Sequence, residues 1–293
     1  MIITKQVKAD LLLLVIAAIW GLTFVLIKNA LDDIEPFTFN AYRFLLAGIF
    51  MVFICFIYKS KFDKRLLTIG SIVGFFLFLG YSLQTIGLQY TTASNSGFIS
   101  GLSVVFVPLF ATIFTKKLPG KYSIAGAVLA AVGLFFLSVD SNFTYNIGDI
   151  FTLVGAVCFA IHILLLGKYS PQFDTVPLVT MQIFAVAFLS LICSFALETP
   201  TIIMTSTVIT ALLVCAILAT CLAFIVLTWA QRFTTPTHTV IILTFEPVFA
   251  AIFAYMLLAE ILTTRHLFGA AIMLMGILLV EFKGERHKGV VDS

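Results

Sequence analysis

Charged residues are scarce in this chain of 293 residues. Asp, Glu, Lys and Arg make up 11% of it, whereas apolar residues make up 61% and the mean hydropathy is +1.14. A soluble domain usually carries about 25% charged residues, so this composition excludes a soluble globular domain. The loops between the apolar stretches are too short to form a separate soluble domain. The chain is therefore expected to fold in lipid.

Cysteine and the common catalytic motifs are also sparse. The five cysteines include no CxxC pair, which argues against a disulfide framework and favours small apolar packing residues. The sequence contains neither a phosphate-binding GxxxxGK[ST] loop nor a zinc-binding HExxH motif. We predict that the protein is not an enzyme and uses no cofactor and no metal. Its net charge of +3 comes from basic loops and implies no nucleic-acid partner.

Apolar stretches of membrane length occur ten times. A helix needs about 17 to 25 mostly apolar residues to cross the hydrocarbon core, and the longest runs lack the alternating polarity of barrel strands. The predicted helices cover residues 9–29, 38–58, 66–88, 93–115, 121–138, 148–167, 175–195, 207–230, 235–258 and 264–282. The predicted fold is an all-α membrane protein with ten transmembrane helices.

The second half of the sequence weakly repeats the first, with a shift of 139 residues. The matched positions are Asp10 with Asp149, Leu14 with Leu153, Ala17 with Ala156, Trp20 with Phe159, Phe106 with Phe245, Pro108 with Pro247, Phe110 with Phe249 and Ala111 with Ala250. Each copy, 1–139 and 140–293, holds five predicted helices. Because five is odd, the two copies are expected to be inverted in the membrane, as in many secondary transporters.

Lysine and arginine fall mostly on one side of the predicted helices. With the N-terminus placed inside, 14 of the 17 basic residues lie in loops or tails on that side. Short cytoplasmic loops carry such an excess. We therefore predict a multi-pass protein of the cytoplasmic membrane with both termini in the cytoplasm.

Glu246 is the clearest polar exception inside a predicted helix. It lies about eleven residues into the ninth helix, a rise of about 16 Å, and so near the middle of the membrane. A charge there costs roughly 2.5 to 3.5 kcal/mol. Such a carboxyl group is suited to binding a proton or a substrate amine. The alternative is a structural glutamate beside backbone that Pro247 has loosened.

Small polar residues share the predicted face of Glu246. Thr235, Thr239 and Ile242 precede it at helical spacing. The matching positions in the first copy are Ser96, Ser100, Ser103 and Val107. These two stripes suggest that helices four and nine face each other across a central cavity. The alternative is close helix packing, which small residues also favour.

Other polar or aromatic residues inside the helices are weaker candidates. Arg43 has three possible roles: binding a substrate carboxylate, reaching to the outer headgroups, or pairing with Asp32, Asp33 or Glu35. For each of the others, contact between helices is the alternative. The candidate substrate-binding or coupling residues are Glu246, Trp20, Arg43, Tyr81, Gln84, Asn95, Ser100, Thr239 and His162. Gln182 and His238 are additional, weaker candidates.

The chain resembles the EamA-type branch of the drug/metabolite transporter superfamily. The resemblance rests on AIWGLTFVLIK at 18–28, YRFLLA at 42–47, YTTAS at 90–94, EPVFAA at 246–251 and LLAE at 257–260, with Gly269 and Gly276. It covers nearly the whole chain and implies two copies of the family's five-helix unit. The chain departs from the usual pattern at Lys116, Lys117, Phe159 and Ala259, which bears on the substrate and not on the fold.

The resemblance implies transport, commonly export, of amino acids or similar small metabolites without ATP hydrolysis. We therefore predict a secondary transporter that works by alternating access, with a small-molecule substrate and membrane lipid as partners, as a monomer or homodimer. The flex points are expected at Gly21, Gly97, Gly101, Pro108 and Pro247, with static kinks as the alternative at the two prolines. A passive channel is the first alternative. An intramembrane enzyme that gathers Glu246, His162 and His238 is the second.

Overall fold

The computed structural model describes residues 5–91, 93–115, 120–138, 147–200, 203–258 and 264–283. Within these ranges the chain is helical and has no β-strand. The helices are α1 (Lys5–Ala30), α2 (Pro36–Ile57), α3 (Lys64–Tyr90), α4a (Ala93–Gly101), α4b (Ser103–Thr115), α5 (Lys121–Ser138), α6 (Ile147–Tyr169), α7 (Thr175–Leu197), α8 (Ser206–Ala230), α9a (Pro236–Leu243), α9b (Glu246–Leu258) and α10 (Thr264–Lys283). We call α1 to α5 the first repeat and α6 to α10 the second repeat.

Six helices of the described ranges are long and apolar enough to cross a membrane. They are α1, α2, α3, α6 with the short 3₁₀ turn Ser170–Gln172 that extends it, α7 and α8. The other helices are shorter apolar segments at the predicted positions of the remaining spans. Large apolar side chains such as Phe56 and Phe188 are exposed on the outside of the bundle, as expected for a surface in contact with lipid.

Two of the predicted helices are interrupted. The predicted continuous helix over 235–258 is wrong, because α9a ends at Leu243 and α9b begins at Glu246. The proline ring of Pro247 removes the N–H that would bond to Leu243 and disfavours helical backbone at Glu246. The predicted helix over 93–115 is likewise broken at Leu102, between Gly101 and Ser103.

Helix α8 is continuous but contains a wider turn. Residues Ile217–Leu222 form a π-helix in the middle of the span. A π turn pairs each carbonyl with an N–H five residues later and is frequent at functional sites. No pattern in the sequence indicates this turn, because its residues are mostly apolar, like their neighbours.

The helices pack in a pattern that is preserved when the two repeats are exchanged. Helix α2 packs on its counterpart α7, and α5 packs on its counterpart α10. The contact of α1 with α9 is equivalent to the contact of α6 with α4 in the exchanged repeats. In the same way, the contact of α3 with α6 is equivalent to that of α8 with α1. Glycines permit the closest approaches. A Cβ atom on Gly74 of α3 would lie 2.6 Å from Ala185 Cβ of α7, and one on Gly276 of α10 would lie 2.9 Å from the carbonyl oxygen of Gly126 in α5.

The first helices of the two repeats begin at opposite ends of the bundle. Short turns join α1 to α2 and α2 to α3, so the start of α1 and the end of α3 lie at opposite ends. Thr91, directly after α3, donates a hydrogen bond of 2.6 Å to Asp149 at the start of α6. Helices α1 and α6 therefore run in opposite directions, as the predicted inversion requires.

One carboxylate ties the repeats together at the start of α2. Because α2 begins at Pro36 without a capping side chain of its own, its first N–H groups need acceptors from elsewhere. Glu198, at the end of α7, accepts hydrogen bonds of 2.8 Å from the backbone N–H of Phe37 and of Thr38 and one of 2.7 Å from Thr38 Oγ1. The end of α7 thus caps its counterpart.

We predict that Gly21→Ala destabilises the fold, whereas Gly97→Ala does not. A Cβ atom on Gly21 would lie 2.7 Å from the Glu246 carbonyl oxygen and 2.8 Å from the Ala250 nitrogen, so α1 and α9b would have to separate. The expected cost is about 1 to 3 kcal/mol. At Gly97 the nearest described atom is a Phe24 ring carbon at 3.9 Å, and alanine is the better helix former by about 1 kcal/mol.

Both variants are compared with the wild-type protein by unfolding in detergent. Equal melting temperatures for Gly21→Ala and the wild type would contradict the close contact between α1 and α9b.

Candidate functional site

A cavity lies between the two repeats near the middle of the bundle. Helices α1, α2, α3 and both segments of α4 line it from the first repeat, and α6, α8 and α9 line it from the second. Its volume is about 80 Å³, which is room for several waters. Seven of the nine candidate residues line it: Trp20, Arg43, Tyr81, Gln84, Ser100, His162 and Glu246.

Arg43 points into the protein, with only 1% of its side chain exposed. Its Nε donates a hydrogen bond of 2.9 Å to Thr220 Oγ1, and its Nη2 donates longer ones to Tyr81 Oη (3.4 Å) and to the carbonyl oxygen of Ala219 (3.5 Å). The guanidinium also lies over the ring of Tyr81, 4.5 Å from its centroid, a favourable cation–π geometry. Among the described residues Nη1 is buried and has no hydrogen-bond partner.

The two other roles considered for Arg43 are therefore wrong. The side chain does not reach the outer headgroups, because it is buried against α8. Asp33 accepts a hydrogen bond from Thr205 and Glu35 accepts one from Gln89, and no carboxylate of the described ranges forms an ion pair with Arg43. Its buried positive charge is met by neutral acceptors and aromatic rings alone.

The π turn of α8 supplies the acceptor that two site residues share. Trp20 Nε1 donates a hydrogen bond of 2.9 Å to the carbonyl oxygen of Ala219, the same atom that Arg43 approaches. The Trp20 ring packs against Phe224, with centroids 5.9 Å apart. Trp20 of α1 and Arg43 of α2 are therefore both anchored on α8, across the boundary between the repeats.

A hydrogen bond joins two candidate residues on neighbouring helices. Gln84 Nε2 of α3 donates 2.8 Å to Ser100 Oγ at the end of α4a. This is the contact between helices that was the alternative role for these residues, and both side chains also line the cavity. The two roles are thus combined in one pair.

His162 contacts the second repeat's own helix α7. Its Nε2 lies 2.8 Å from Gln182 Oε1, and Gln182 Nε2 donates 3.1 Å to the carbonyl oxygen of Leu178. The imidazole meets the Phe224 ring edge-on, with centroids 5.9 Å apart. Gln182 itself does not line the cavity but lies behind His162.

Glu246 is the first residue of α9b and is half-buried at the cavity. No described residue makes a hydrogen bond or ion pair with its carboxylate. Its position follows from the break in α9, which places the side chain at the start of a helix segment, where negative charge is favoured. The backbone behind it packs on Gly21 of α1.

The prediction that Thr235, Thr239 and Ile242 share one continuous helical face with Glu246 is wrong. The helix is broken before Glu246, so the residues of α9a are turned relative to α9b. Thr235 caps α9a, its Oγ1 accepting 3.2 Å from the His238 N–H. Thr239 is fully buried and does not line the cavity.

The matching stripe of α4 is also divided. Ser100 and Ser103 line the cavity, whereas Ser96 and Val107 are fully buried away from it. The side chain of Asn95 lies outside the described part of the structure. Helices α4 and α9 do face each other, as predicted, with α9a against α4b and α9b against α4a.

One carboxylate at the start of each repeat reaches toward the other repeat. Asp10 of α1 lies 3.3 Å from His238 Nε2 at the start of α9a, and both side chains are nearly buried. At the opposite end, Asp149 of α6 accepts the hydrogen bond from Thr91, just before α4a. These two contacts, which we call the end contacts, join α1 to α9 and α6 to the α3–α4 turn.

The end contact of Asp10 removes His238 from the cavity. The cluster of Glu246, His162 and His238 that an intramembrane enzyme would need is therefore not formed. No group of three metal-binding side chains occurs among the described residues either.

Several cavity residues escaped the sequence reasoning. The main ones are Thr23, Phe24, Phe159, Phe224 and Thr244. Thr23 and Phe159 had a detectable signal, since they match His162 and Trp20 at the 139-residue shift. Phe224 had none, because nothing distinguishes it from the other 30 phenylalanines of the chain.

Comparison with known proteins gives a consistent result. The EamA-like transporter family matches residues 7–139 and again residues 146–282. An uncharacterized transporter of Archaeoglobus fulgidus is 39% identical over 280 residues, which cover 95% of this chain and 87% of that relative. The uncharacterized transporter YoaV of Bacillus subtilis is 25% identical, over 97% of this chain and 100% of its own length.

A solved structure shares the fold. It is a crystal structure of a protein that is 16% identical to this chain and superposes with a TM-score of 0.78, covering 93% of this chain and 96% of its own. The family match extends over both repeats, and the chain therefore belongs to the EamA-like transporter family. It is a multi-pass membrane transporter, and the resemblance and the ten-helix fold read from the sequence are confirmed.

We predict that Thr220→Val destabilises the protein by about 1 to 3 kcal/mol, because the valine leaves Nε of the buried Arg43 without its acceptor. Thr228→Val is the matched control. Thr228 is equally buried on α8, and its Oγ1 has no hydrogen-bond partner in the described structure. That change should be neutral or stabilising.

The measurement is the free energy of unfolding in mixed detergent micelles. If Thr220→Val and Thr228→Val lower the free energy of unfolding by the same amount, the hydrogen bond from Arg43 to Thr220 does not stabilise the protein.

Proposed function

We propose that the protein is a secondary transporter that exports a small zwitterionic metabolite, an amino acid or a related compound, across the cytoplasmic membrane. The observation that carries this proposal is the presence of a basic and an acidic side chain in one cavity. Arg43 comes from the first repeat and Glu246 from the second, and both line the same space. Inside a membrane, ionisable side chains commonly mark a substrate pathway.

Arg43 is the part of the site that suits a carboxylate. A guanidinium binds a carboxylate through two parallel hydrogen bonds. The buried Nη1 has no partner among the described residues, and the bonds from Nη2 are long. A substrate carboxylate supplies the acceptors that the protein leaves out at this end of the guanidinium.

Glu246 is the part of the site that suits an amine or a coupling proton. Its carboxylate has no partner among the described residues and lies at the opening between α9a and α9b. An ammonium group bound there would neutralise it, and so would a proton. The aromatic rings of Trp20, Tyr81 and Phe224 line the same cavity.

Alternating access is supported by the end contacts and by the broken helices. At one end of the bundle Asp10 of the first repeat contacts His238 of the second, and at the other end Thr91 of the first repeat contacts Asp149 of the second. In the proposed cycle one end contact opens while the other stays closed. The breaks at Leu102 and at Thr244–Phe245 give α4 and α9 short segments that can tilt independently.

Counterflow in proteoliposomes separates this mechanism from a passive channel. A carrier shows saturable efflux of labelled internal amino acid that accelerates when unlabelled amino acid is added outside. A channel shows a flux that neither saturates nor accelerates. Right-side-out vesicles loaded with amino acid test the outward direction, which is expected to be faster than uptake.

We predict that Glu246→Gln lowers amino-acid transport about tenfold or more and removes its dependence on pH. The expected size follows from the loss of one hydrogen bond to a charged group. Glu35→Gln is the control, since Glu35 is exposed at the end of the bundle, outside the cavity. Transport is measured in proteoliposomes between pH 5 and 8. Unchanged rates and an unchanged pH profile in Glu246→Gln would remove Glu246 from the proposed site.

The end contacts predict opposite effects on access to the cavity. Asp10→Asn should favour opening at the N-terminal end of α1, and Asp149→Asn should favour opening at the other end. Each change is expected to alter access about fivefold, the equivalent of about 1 kcal/mol for a partly buried contact. The reporter is a cysteine in place of Ser100, which lines the cavity, in a background without other cysteines.

A membrane-impermeant thiol reagent is applied from one side of oriented vesicles and then from the other. Labelling that rises from the same side in both variants would contradict the assignment of the two contacts to opposite ends.

A further inference from the structure

We propose that Gln182 is a positioning residue. It holds His162 with its proton on Nε2, so that His162 Nδ1 faces the cavity as a hydrogen-bond acceptor for the ammonium end of the solute. The proposal deepens the function given above and rests on it for the identity of the solute. It makes His162 a specificity-determining residue, although its hydrogen-bonding partner lies outside the cavity.

The orientation of the Gln182 amide follows from its two neighbours. The side chain is fully buried, so both ends of the amide need partners from the protein. One end lies 3.1 Å from the carbonyl oxygen of Leu178, which can only accept a hydrogen bond. That end must be the NH₂ group, because the reverse orientation would place two acceptors against each other. The oxygen Oε1 therefore faces His162.

The position of the histidine proton follows from the amide. Oε1 of Gln182 accepts only, and it lies 2.8 Å from Nε2 of His162. Nε2 must therefore carry a proton and donate it. In a neutral imidazole the other nitrogen then has a free lone pair and is an acceptor. Nδ1 is the ring nitrogen left for the cavity that His162 lines.

Two packing contacts lie beside the pair. The Phe224 ring stands at 89° to the imidazole. The backbone of Gln182 is pressed against α3, since a Cβ atom on Gly74 would lie 2.9 Å from the Gln182 carbonyl oxygen. A fixed orientation is what lets a binding site distinguish a donor from an acceptor.

The repeat gives this arrangement a counterpart. Gln182 stands 139 residues after Arg43 and occupies the same place in α7 that Arg43 occupies in α2. In the first repeat this position holds Arg43, a hydrogen-bond donor that lines the cavity. In the second repeat it holds Gln182, whose amide orients His162 so that Nδ1 is an acceptor. Together with Glu246, His162 makes the second repeat the accepting side of the cavity and Arg43 makes the first repeat the donating side.

The acceptor at His162 Nδ1 gives the site a selectivity that charge alone does not give. An amino acid places its carboxylate on Arg43 and its ammonium group between Glu246 and His162 Nδ1. The matching hydroxy acid keeps the carboxylate but offers only one donor hydrogen at the second position. The site therefore prefers the amine over the hydroxyl, and this preference depends on Gln182.

The position of the proton is tested directly by ¹⁵N NMR of histidine-labelled protein in nanodiscs at neutral pH. The chain has four histidines, and the His162 signals are identified by their loss in His162→Asn. The expected spectrum shows a protonated Nε2 and an unprotonated Nδ1. Gln182→Met keeps the size of the side chain and removes the acceptor. In this variant the spectrum should change to a mixture of the two neutral tautomers, with the proton on Nδ1 or on Nε2.

The selectivity is tested by the ratio of binding affinities for alanine and lactate, measured by calorimetry on the same preparations. Gln182→Met should lower this ratio about tenfold, as expected for one hydrogen bond to a charged group. Two further variants separate the ring nitrogens. Asparagine in place of His162 keeps a polar atom near Nδ1, and glutamine keeps one near Nε2. His162→Asn should retain more of the preference for alanine than His162→Gln.

A proton on Nδ1 of His162 in the wild-type protein would overturn the proposal, and so would a spectrum that Gln182→Met leaves unchanged. An alanine-to-lactate ratio that is the same in the wild type, Gln182→Met and His162→Gln would overturn the assigned role in selectivity. If the wild-type protein binds no amino acid, the proposed function fails and with it the identity of the solute. The NMR spectrum still decides whether Gln182 positions His162.

Discussion

The absence of water from the membrane interior is the constraint on which the rest of this structure depends. Every backbone polar group and every charge inside the bundle must find a partner within the protein or in a wet cavity. Continuous helices meet this requirement almost everywhere. Within the helices of the described ranges, the exceptions are the breaks in α4 and α9 and the π turn of α8, and residues at or beside all three line the central cavity. Irregular backbone is thus confined to the region where polar groups can be satisfied by a solute or by water.

The two repeats provide one scaffold with unlike side chains. At equivalent positions stand Arg43 and Gln182, and Val107 and Glu246. The scaffold places the members of each pair at equivalent positions in the two repeats, and of these four residues Arg43 and Glu246 line the cavity. The side chains therefore give each half a different chemistry. A substrate with two unlike ends binds such a cavity in one orientation, because its ends cannot be exchanged. The symmetry of the helices and the asymmetry of the site therefore serve different purposes.

The sequence was sufficient to predict the helices but not their internal geometry. Apolar length and the 139-residue shift located the ten helices to within a few residues, because membrane thickness fixes helix length. They did not reveal the π turn over Ile217–Leu222, since its residues resemble their neighbours. The break before Glu246 was only suggested by Pro247, which can also produce a simple kink. As a result, Thr239 was placed on the cavity although it is buried elsewhere.

Polar residues were easier to identify than to orient. Seven of the candidates line the cavity, because a polar group inside a membrane helix is costly and therefore conspicuous. Where each side chain points depends on contacts between distant helices. Arg43 turns inward because α8 offers Thr220 and Ala219, and no pattern along α2 contains that information.

The helix pairs α2–α7 and α5–α10 have a special place in this architecture. Each joins a helix to its own counterpart, so exchanging the conformations of the two repeats leaves these contacts unchanged. Other contacts between the repeats come in equivalent pairs, and the two members of a pair differ in extent. Helix α3, for example, packs more extensively on α7 than α8 does on α2. In the proposed exchange between inward and outward states, α2–α7 and α5–α10 would be the two pivots. In that proposal the hydrogen bonds from the start of α2 to Glu198 would stay intact and hold α2 against α7 while the helices around the cavity move.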